Sequence, residues 1–314
     1  MSCFYPRDAW LPLSGVGRIV FNEPMGLPGS HFLIPCGQCS GCREDYAITW
    51  SNRLILESKY HIASSFITLT YDNPHLPPGG TLVLRDFQLF MKRTRAHFAK
   101  LYPHLRISFY CCGEYGDHPE PGQRFGRPHY HVILFGVNFI EDRKPIHKNK
   151  QGDQLYCSET LTRLWGKGLC DIGDVTPQSC KYVAGYVNKK LNGEKGIEHY
   201  NMIDPETGEI LYSWKKEFAT MSRRPSIGLR HYKDHGLADY RRGAIIIKGK
   251  RAQIPKSFDR QLLKDDPLLM ESIKTGRFED AQDPKRQWNC TPERLAVRCE
   301  SLKLRRRMFN RRDL

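Results

Sequence analysis

Apolar positions along the chain fall into short runs of changing period. Tyr46, Ile48, Trp50, Leu54 and Ile55 give one side of a helix running from Arg43 to His61. The stretch from Ser65 to Tyr71 alternates and is rich in β-branched and aromatic residues, which predicts a strand. Asp72-Asn73-Pro74 and Pro77-Pro78-Gly79-Gly80 stop it. Phe87, Phe90, Met91 and Phe98 mark the buried side of a second helix, from Arg85 to Leu101. Leu105 to Cys112 reads as a strand, and His129 to Phe135 as the most apolar strand of the chain. The loop between them suits an antiparallel neighbour pair. A short helix from Ser158 to Trp165 and a short strand from Leu169 to Val175 follow. Thr176 then caps a helix with Pro177 in its first turn, running through Tyr182 and Tyr186 to Leu191.

These elements predict an α+β fold, a central antiparallel sheet with flanking helices, over residues 43–195. Residues 1–42, broken by Pro6, Pro24, Pro28 and Pro35, read as an irregular Cys-rich segment. Residues 196–314 form a less periodic basic extension, with Ala244 to Lys248 strand-like. From Thr291 to Leu314 there are eight Lys/Arg against three Asp/Glu.

Charge narrows the function. Among 314 residues, 49 Lys+Arg face 34 Asp+Glu, a net charge of +15, and the pI is about 9.3. So basic a chain points to a polyanionic partner, nucleic acid being the commonest. A hydrophobic share of 39% argues against a disordered chain, and no apolar stretch is long enough to span a membrane. No export signal is visible at the start, so the 11 cysteines are expected in a reducing cytoplasm, free or metal-bound.

His129 and His131 lie two apart in a strand pattern, so both imidazoles face one side, about 7 Å apart along the chain. Alone, such a pair more often marks a solvated sheet face. Glu114, at the end of the preceding strand, changes that reading by bringing a carboxylate across the ladder. Two imidazoles and one carboxylate leave coordination positions open, which suits Mg²⁺ or Mn²⁺ in catalysis. Tyr182 and Tyr186, four apart on a helix, project from one face, with Lys189 a further turn along. A phenol with a pKa near 10 is a poor nucleophile at neutral pH. A neighbouring cation would stabilise the phenolate, making Tyr, metal and Lys a phosphoryl-transfer set with a covalent intermediate. A tyrosine packed in the core beside a solvating lysine would leave the same pattern.

Gly126-Arg127-Pro128-His129-Tyr130-His131 resembles the His-hydrophobic-His motif of the HUH endonucleases that initiate rolling-circle replication. Phe66-Ile67-Thr68-Leu69-Thr70-Tyr71 looks like their first motif, and the segment from Tyr182 to Lys190 like their third, in its two-tyrosine form. More narrowly, the chain is similar to the replication initiators of microviruses, especially the gokushovirus branch. Pro35-Cys36, Cys39, Cys42-Arg43, the run from Cys112 to Gly116 and the run from Met221 to Pro225 carry that likeness, which covers about residues 1–235.

The resemblance implies a rolling-circle initiator with an HUH-type core. Tyr182 or Tyr186 would attack a phosphodiester of the phage origin, giving a 5′-phosphotyrosine link and a free 3′-OH; the second tyrosine would serve rejoining. His129 and His131 would be metal ligands, Glu114 the third, and Lys189 the charge neutraliser. Single-stranded and replicative-form phage DNA, a host polymerase and a host helicase are the implied partners, in the cytoplasm of a bacterial host. No Gly-x₄-Gly-Lys-Ser/Thr loop is present, so no helicase domain is expected.

Cys36, Cys39 and Cys42 are closely spaced, and Cys3 would make a fourth thiolate. Four sulfurs suit structural Zn²⁺, three at this spacing also resemble an iron–sulfur run, and free thiols remain open. Arg127, Lys181, Lys190, Arg223, Arg224 and the cluster Arg305-Arg306-Arg307 are expected to meet DNA phosphates, with affinity that falls with salt. Two rival functions use part of this pattern. A non-enzymatic basic protein that binds or packages single-stranded DNA explains the charge alone. A metal-dependent nuclease using water keeps the metal and makes the tyrosines dispensable.

Overall fold

The computed structural model describes residues 2–15, 17–119, 123–149, 151–186 and 193–312. In chain order, β1 (Arg7–Ala9) and β2 (Phe32–Ile34) precede α1 (Ser40–Ser58), β3 (Ser64–Thr70), α2 (Leu84–Leu101), β4 (Ser108–Tyr115) and β5 (Pro128–Phe135). Next come β6 (Lys144–Lys148), β7 (Gln154–Cys157), α3 (Glu159–Trp165), β8 (Cys170–Gly173), α4 (Pro177–Tyr186) and α5 (Glu194–Tyr200). The hairpin β9 (Asn201–Ile203) and β10 (Ile210–Ser213) leads to β11 (Phe218–Met221), α6 (Leu229–Arg242), β12 (Ile245–Ile247) and β13 (Lys250–Ala252). Four helices close the chain: α7 (Lys256–Asp265), α8 (Pro267–Gln282), α9 (Pro284–Trp288) and α10 (Pro292–Arg312).

The fold is α+β, built on a seven-stranded sheet in the order β11-β4-β5-β3-β8-β7-β6. Every pairing in it is antiparallel. Alternation along the strands sends side chains to two separate cores. Ile67, Leu69, Cys111, Tyr130, Val132 and Leu134 face α2 and α3, where Phe87, Phe90, Met91 and Trp165 cover them. Tyr110, Cys112, Ile133 and Phe135 face the other way, against Leu54 and Ile55 of α1 and Cys180 and Val183 of α4. Because β4 and β5 are covered on both faces, they read in the sequence as apolar runs.

Two compact units result, and their limits differ from segments at 1–42, 43–195 and 196–314. One unit is Ile48–Gln253; the other joins Met1–Ala47 to Ile254–Leu314. The reason is nonlocal pairing. β11 adds to the sheet edge beside β4, with Phe218 opposite Gly113 and Met221 opposite Tyr110, so the chain beyond 195 stays with the sheet. Within the other unit, Phe32 meets Phe278 edge-on at 5.9 Å, and Gln282 Nε2 donates to the His31 carbonyl at 2.8 Å. The region after 195, expected to be weakly structured, carries six α-helices starting at α5 among the described residues.

Candidate active site

The register of three strands assembles the site. Glu114 on β4 lies directly opposite His129 on β5, and Cys112 lies opposite His131. On the other side of β5, Thr68 of β3 is the partner of His131. Cross-strand partners share a face, so the carboxylate, both imidazoles and the threonine meet on the side that carries α4. Glu114 Oε1 lies 2.7 Å from His129 Nε2 and 3.1 Å from His131 Nε2. One ligand atom from each of the three residues falls within 4.8 Å of the other two.

The far nitrogen of each ring is held as well. His129 Nδ1 donates to the Arg127 carbonyl at 2.9 Å; a carbonyl only accepts, so this nitrogen carries the hydrogen and Nε2 is the one aimed at Glu114. His131 Nδ1 and Thr68 Oγ1 are 3.0 Å apart. Phe66 stacks on His131 with centroids 5.6 Å apart. Such outer contacts fix ring orientation, which is what a metal-binding pair needs. Hard carboxylate oxygen and imidazole nitrogen, converging without lysine or arginine among them, form a donor set that fits a divalent cation.

Helix α4 brings the phenols. Its start is fixed by a reciprocal cap: Ser179 N donates to Thr176 Oγ1 at 3.0 Å, and Thr176 N donates to Ser179 Oγ at 2.8 Å. Cys180, Val183 and Ala184 turn inward. Tyr182 and Tyr186, one turn apart, flank His131, each ring centroid 5.1 Å from the imidazole. Tyr186 stacks on it at 17°, whereas Tyr182 meets it edge-on at 71°. The two phenol rings are 4.4 Å apart.

Glu114 is 2% exposed. Burial pushes its carboxyl up, but the hydrogen bonds and charge of His129 and His131 outweigh burial and hold it below the ordinary value. The Tyr186 phenol is pushed well up, first by burial, then by the negative charge of Glu114 and by its contact with Tyr182. A phenol so placed ionises only if positive charge arrives nearby.

Glu114, His129, His131, Tyr182 and Tyr186 therefore come together, while Lys189 and Lys190 lie outside the described residues. Lys181 is exposed on α4 beside Tyr182. The half-buried Arg127 sends its guanidinium to the Tyr71 carbonyl at 3.0 Å and to Asn73 Oδ1 at 2.6 Å. Arg223 and Arg224 are exposed beyond the end of β11, towards Ser108 and thus at the opposite end of β4 from Glu114. There they line a cleft with Arg95 and Arg106. Cys3, Cys36, Cys39 and Cys42 form a second cluster, in the other unit.

Two residues escaped the sequence reading as site members. Thr68 lay inside a quoted motif, but only the β3–β5 register shows that it meets His131. Asp171 pairs with Thr68 from the other side of β3, and burial raises its carboxyl. Its signal was the alternation of β8, too short to read by itself.

The span that builds this site is also where similarity to known proteins concentrates. A family model for replication-associated proteins of the ORF2 type matches residues 64–191. The replication-associated protein ORF2 of Spiroplasma virus 4 is 31% identical over 260 residues, covering 79% of this chain and 74% of the relative. The replication-associated protein VP4 of Bdellovibrio phage phiMH2K is 30% identical over 272 residues, covering 85% and 79%. The replication-associated protein ORF4 of Chlamydia phage 1 is 29% identical over 262 residues, covering 79% and 60%. No solved structure matches the chain. The chain belongs to the family of microvirus replication-associated proteins, and its role lies in the replication of phage DNA.

Proposed function

We propose that the protein initiates rolling-circle replication by nicking and rejoining one strand at the phage origin through a 5′-phosphotyrosine intermediate. The observation that carries this reading is the pair of α4 phenols flanking His131, itself one of a converging Glu-His-His set. The oxygen of one phenol attacks the scissile phosphorus and the bond to the 3′ oxygen breaks. The departing 3′ oxygen takes up a proton, and the 5′ phosphate stays on the ring. One ester replaces another, so the energy of the broken bond is kept for rejoining. After a round of synthesis the second phenol cuts the regenerated origin. The 3′-OH freed by that cut attacks the first phosphotyrosine and closes the displaced strand.

Glu114, His129 and His131 would hold Mg²⁺ or Mn²⁺, and three protein ligands leave positions for a phosphate oxygen. When bound, the ion supplies polarisation of the phosphate and positive charge opposite Glu114. Thr68 and the Arg127 carbonyl keep the two imidazoles turned inward. Lys189 is assigned the neutralising of charge on the attacking phenol. Lys181 and Lys190 beside the phenols, and Arg223 and Arg224 in their arginine-lined cleft, hold the DNA backbone. Arg127 acts at the site through its carbonyl and anchored side chain. The free 3′-OH is a primer end, so a host polymerase extends it and a host helicase parts the strands, in the bacterial cytoplasm.

Incubation with labelled single-stranded origin DNA and Mn²⁺ tests the reading. A protein–DNA adduct that survives denaturation is expected, and it should vanish in the Tyr182→Phe/Tyr186→Phe double variant. Cleavage without an adduct would favour a nuclease using water. Binding without cleavage would favour a packaging protein.

A further inference from the structure

Away from the proposed nicking site, four cysteines converge within the unit formed by Met1–Ala47 and Ile254–Leu314. Cys3 precedes β1, Cys36 and Cys39 lie in the loop after β2, and Cys42 sits in the first turn of α1. All four sulfurs lie within 4.8 Å of one another. Cys39 and Cys3 are 3.8 Å apart, and Cys36 and Cys42 are 4.0 Å apart. Both spacings are far beyond the roughly 2.05 Å of a disulfide. They match the edge of a tetrahedron, about 3.8 Å, whose corners are sulfurs ~2.3 Å from a central ion.

The backbone around the cluster is shaped to serve the sulfurs. Phe4 N donates to Cys39 Sγ at 3.4 Å and Cys36 N to Cys3 Sγ at 3.2 Å. Gln38 N and Cys39 N both donate to Cys36 Sγ, at 3.5 and 3.3 Å. Neutral thiols are weak acceptors, whereas thiolates bound to a cation draw such N–H groups strongly. Gly37, at φ 76°, makes the turn between Cys36 and Cys39. A Cβ on Gly41 would sit 1.7 Å from the Ser2 carbonyl oxygen, so only glycine lets the segment bearing Cys3 close on the helix start bearing Cys42.

We propose that Cys3, Cys36, Cys39 and Cys42 bind one Zn²⁺ as an all-thiolate structural site that clips the N-terminal segment to the start of α1. Four protein ligands close the coordination sphere, so this ion holds structure and takes no part in phosphoryl transfer. A polynuclear iron–sulfur cluster would insert metal and sulfide between the thiolates and spread them further than these sulfurs are spread. The site is independent of the Glu-His-His set, whose donors suit a harder ion.

The test is metal analysis of the full-length protein, purified from cells grown with zinc and iron and washed with a mild chelator. One zinc per chain and no iron are expected, with X-ray absorption at the zinc edge giving four sulfurs at about 2.3 Å. Cys36→Ser/Cys39→Ser should lose the zinc, and Cys157→Ser should keep it. Absence of zinc, iron in its place, or nitrogen and oxygen neighbours around the zinc would overturn the proposal. The absorption measurement on the unaltered chain decides the question even if the double variant fails to fold.

Discussion

Glu114 lies beneath two imidazoles in a nearly dry setting, so its charge matters to folding as well as to ion binding. Its folded carboxyl titrates below the ordinary value of 4.5. The stabilisation it brings is therefore complete above about pH 4.5 and is lost as the pH falls through the lower folded value. Thermal melts of the ion-free protein from pH 6 to pH 3 should show this acid limb, and Glu114→Gln should flatten it. A limb unchanged in that variant would contradict the assignment. The tyrosines differ in access: Tyr182 is 48% exposed, and Tyr186 is half-buried with its phenol pushed up. Tyr182 is thus the group that meets incoming DNA first. Tyr182→Phe is expected to slow first cleavage of an origin oligonucleotide by roughly a hundredfold or more. Tyr186→Phe should retain first cleavage and lose joining; equal loss in both variants would contradict that order. These residues were legible because their spacings, two on a strand and four on a helix, state their faces without any tertiary information.

Strand register decides what local spacing cannot. Thr68 reaches His131 only because β3 pairs with β5 in one frame, a contact 63 positions apart in the chain. Thr68→Val keeps the shape and removes the oxygen, and it should weaken Mn²⁺ binding about 10–100-fold by titration calorimetry. Unchanged affinity would show that the ring needs no such support. Other elements were harder to read for identifiable reasons. β11 is four residues long and owes its strand character to lying against β4. The late helices lack a strong apolar stripe, and Met270 is the buried residue of α8. Their starts were nonetheless written in the chain: Asp266 caps Leu269 N ahead of Pro267, and Asp283 caps Lys285 N ahead of Pro284.

Over the whole molecule, the association of the first residues with the last could not be read from local pattern, because it rests on contacts between opposite ends of the chain. The net charge of +15 could be read at once, and it predicts binding that weakens steeply with salt. Arg223→Ala/Arg224→Ala should reduce the slope of log affinity against log salt on single-stranded DNA by about 1 to 1.5, at roughly 0.7 per phosphate contact. An unchanged slope would remove that cleft from the DNA path. The central claim is that a phenol on α4 takes up the DNA strand. Trypsin cuts after Lys181 and Lys189, so one peptide, from Tyr182 to Lys189, carries both tyrosines. Mass spectrometry of the digested, nuclease-trimmed adduct should find the phosphonucleotide on this peptide, with fragment ions placing it on Tyr182 or Tyr186. A label on any other peptide, or none on a protein that cleaves, would contradict the account.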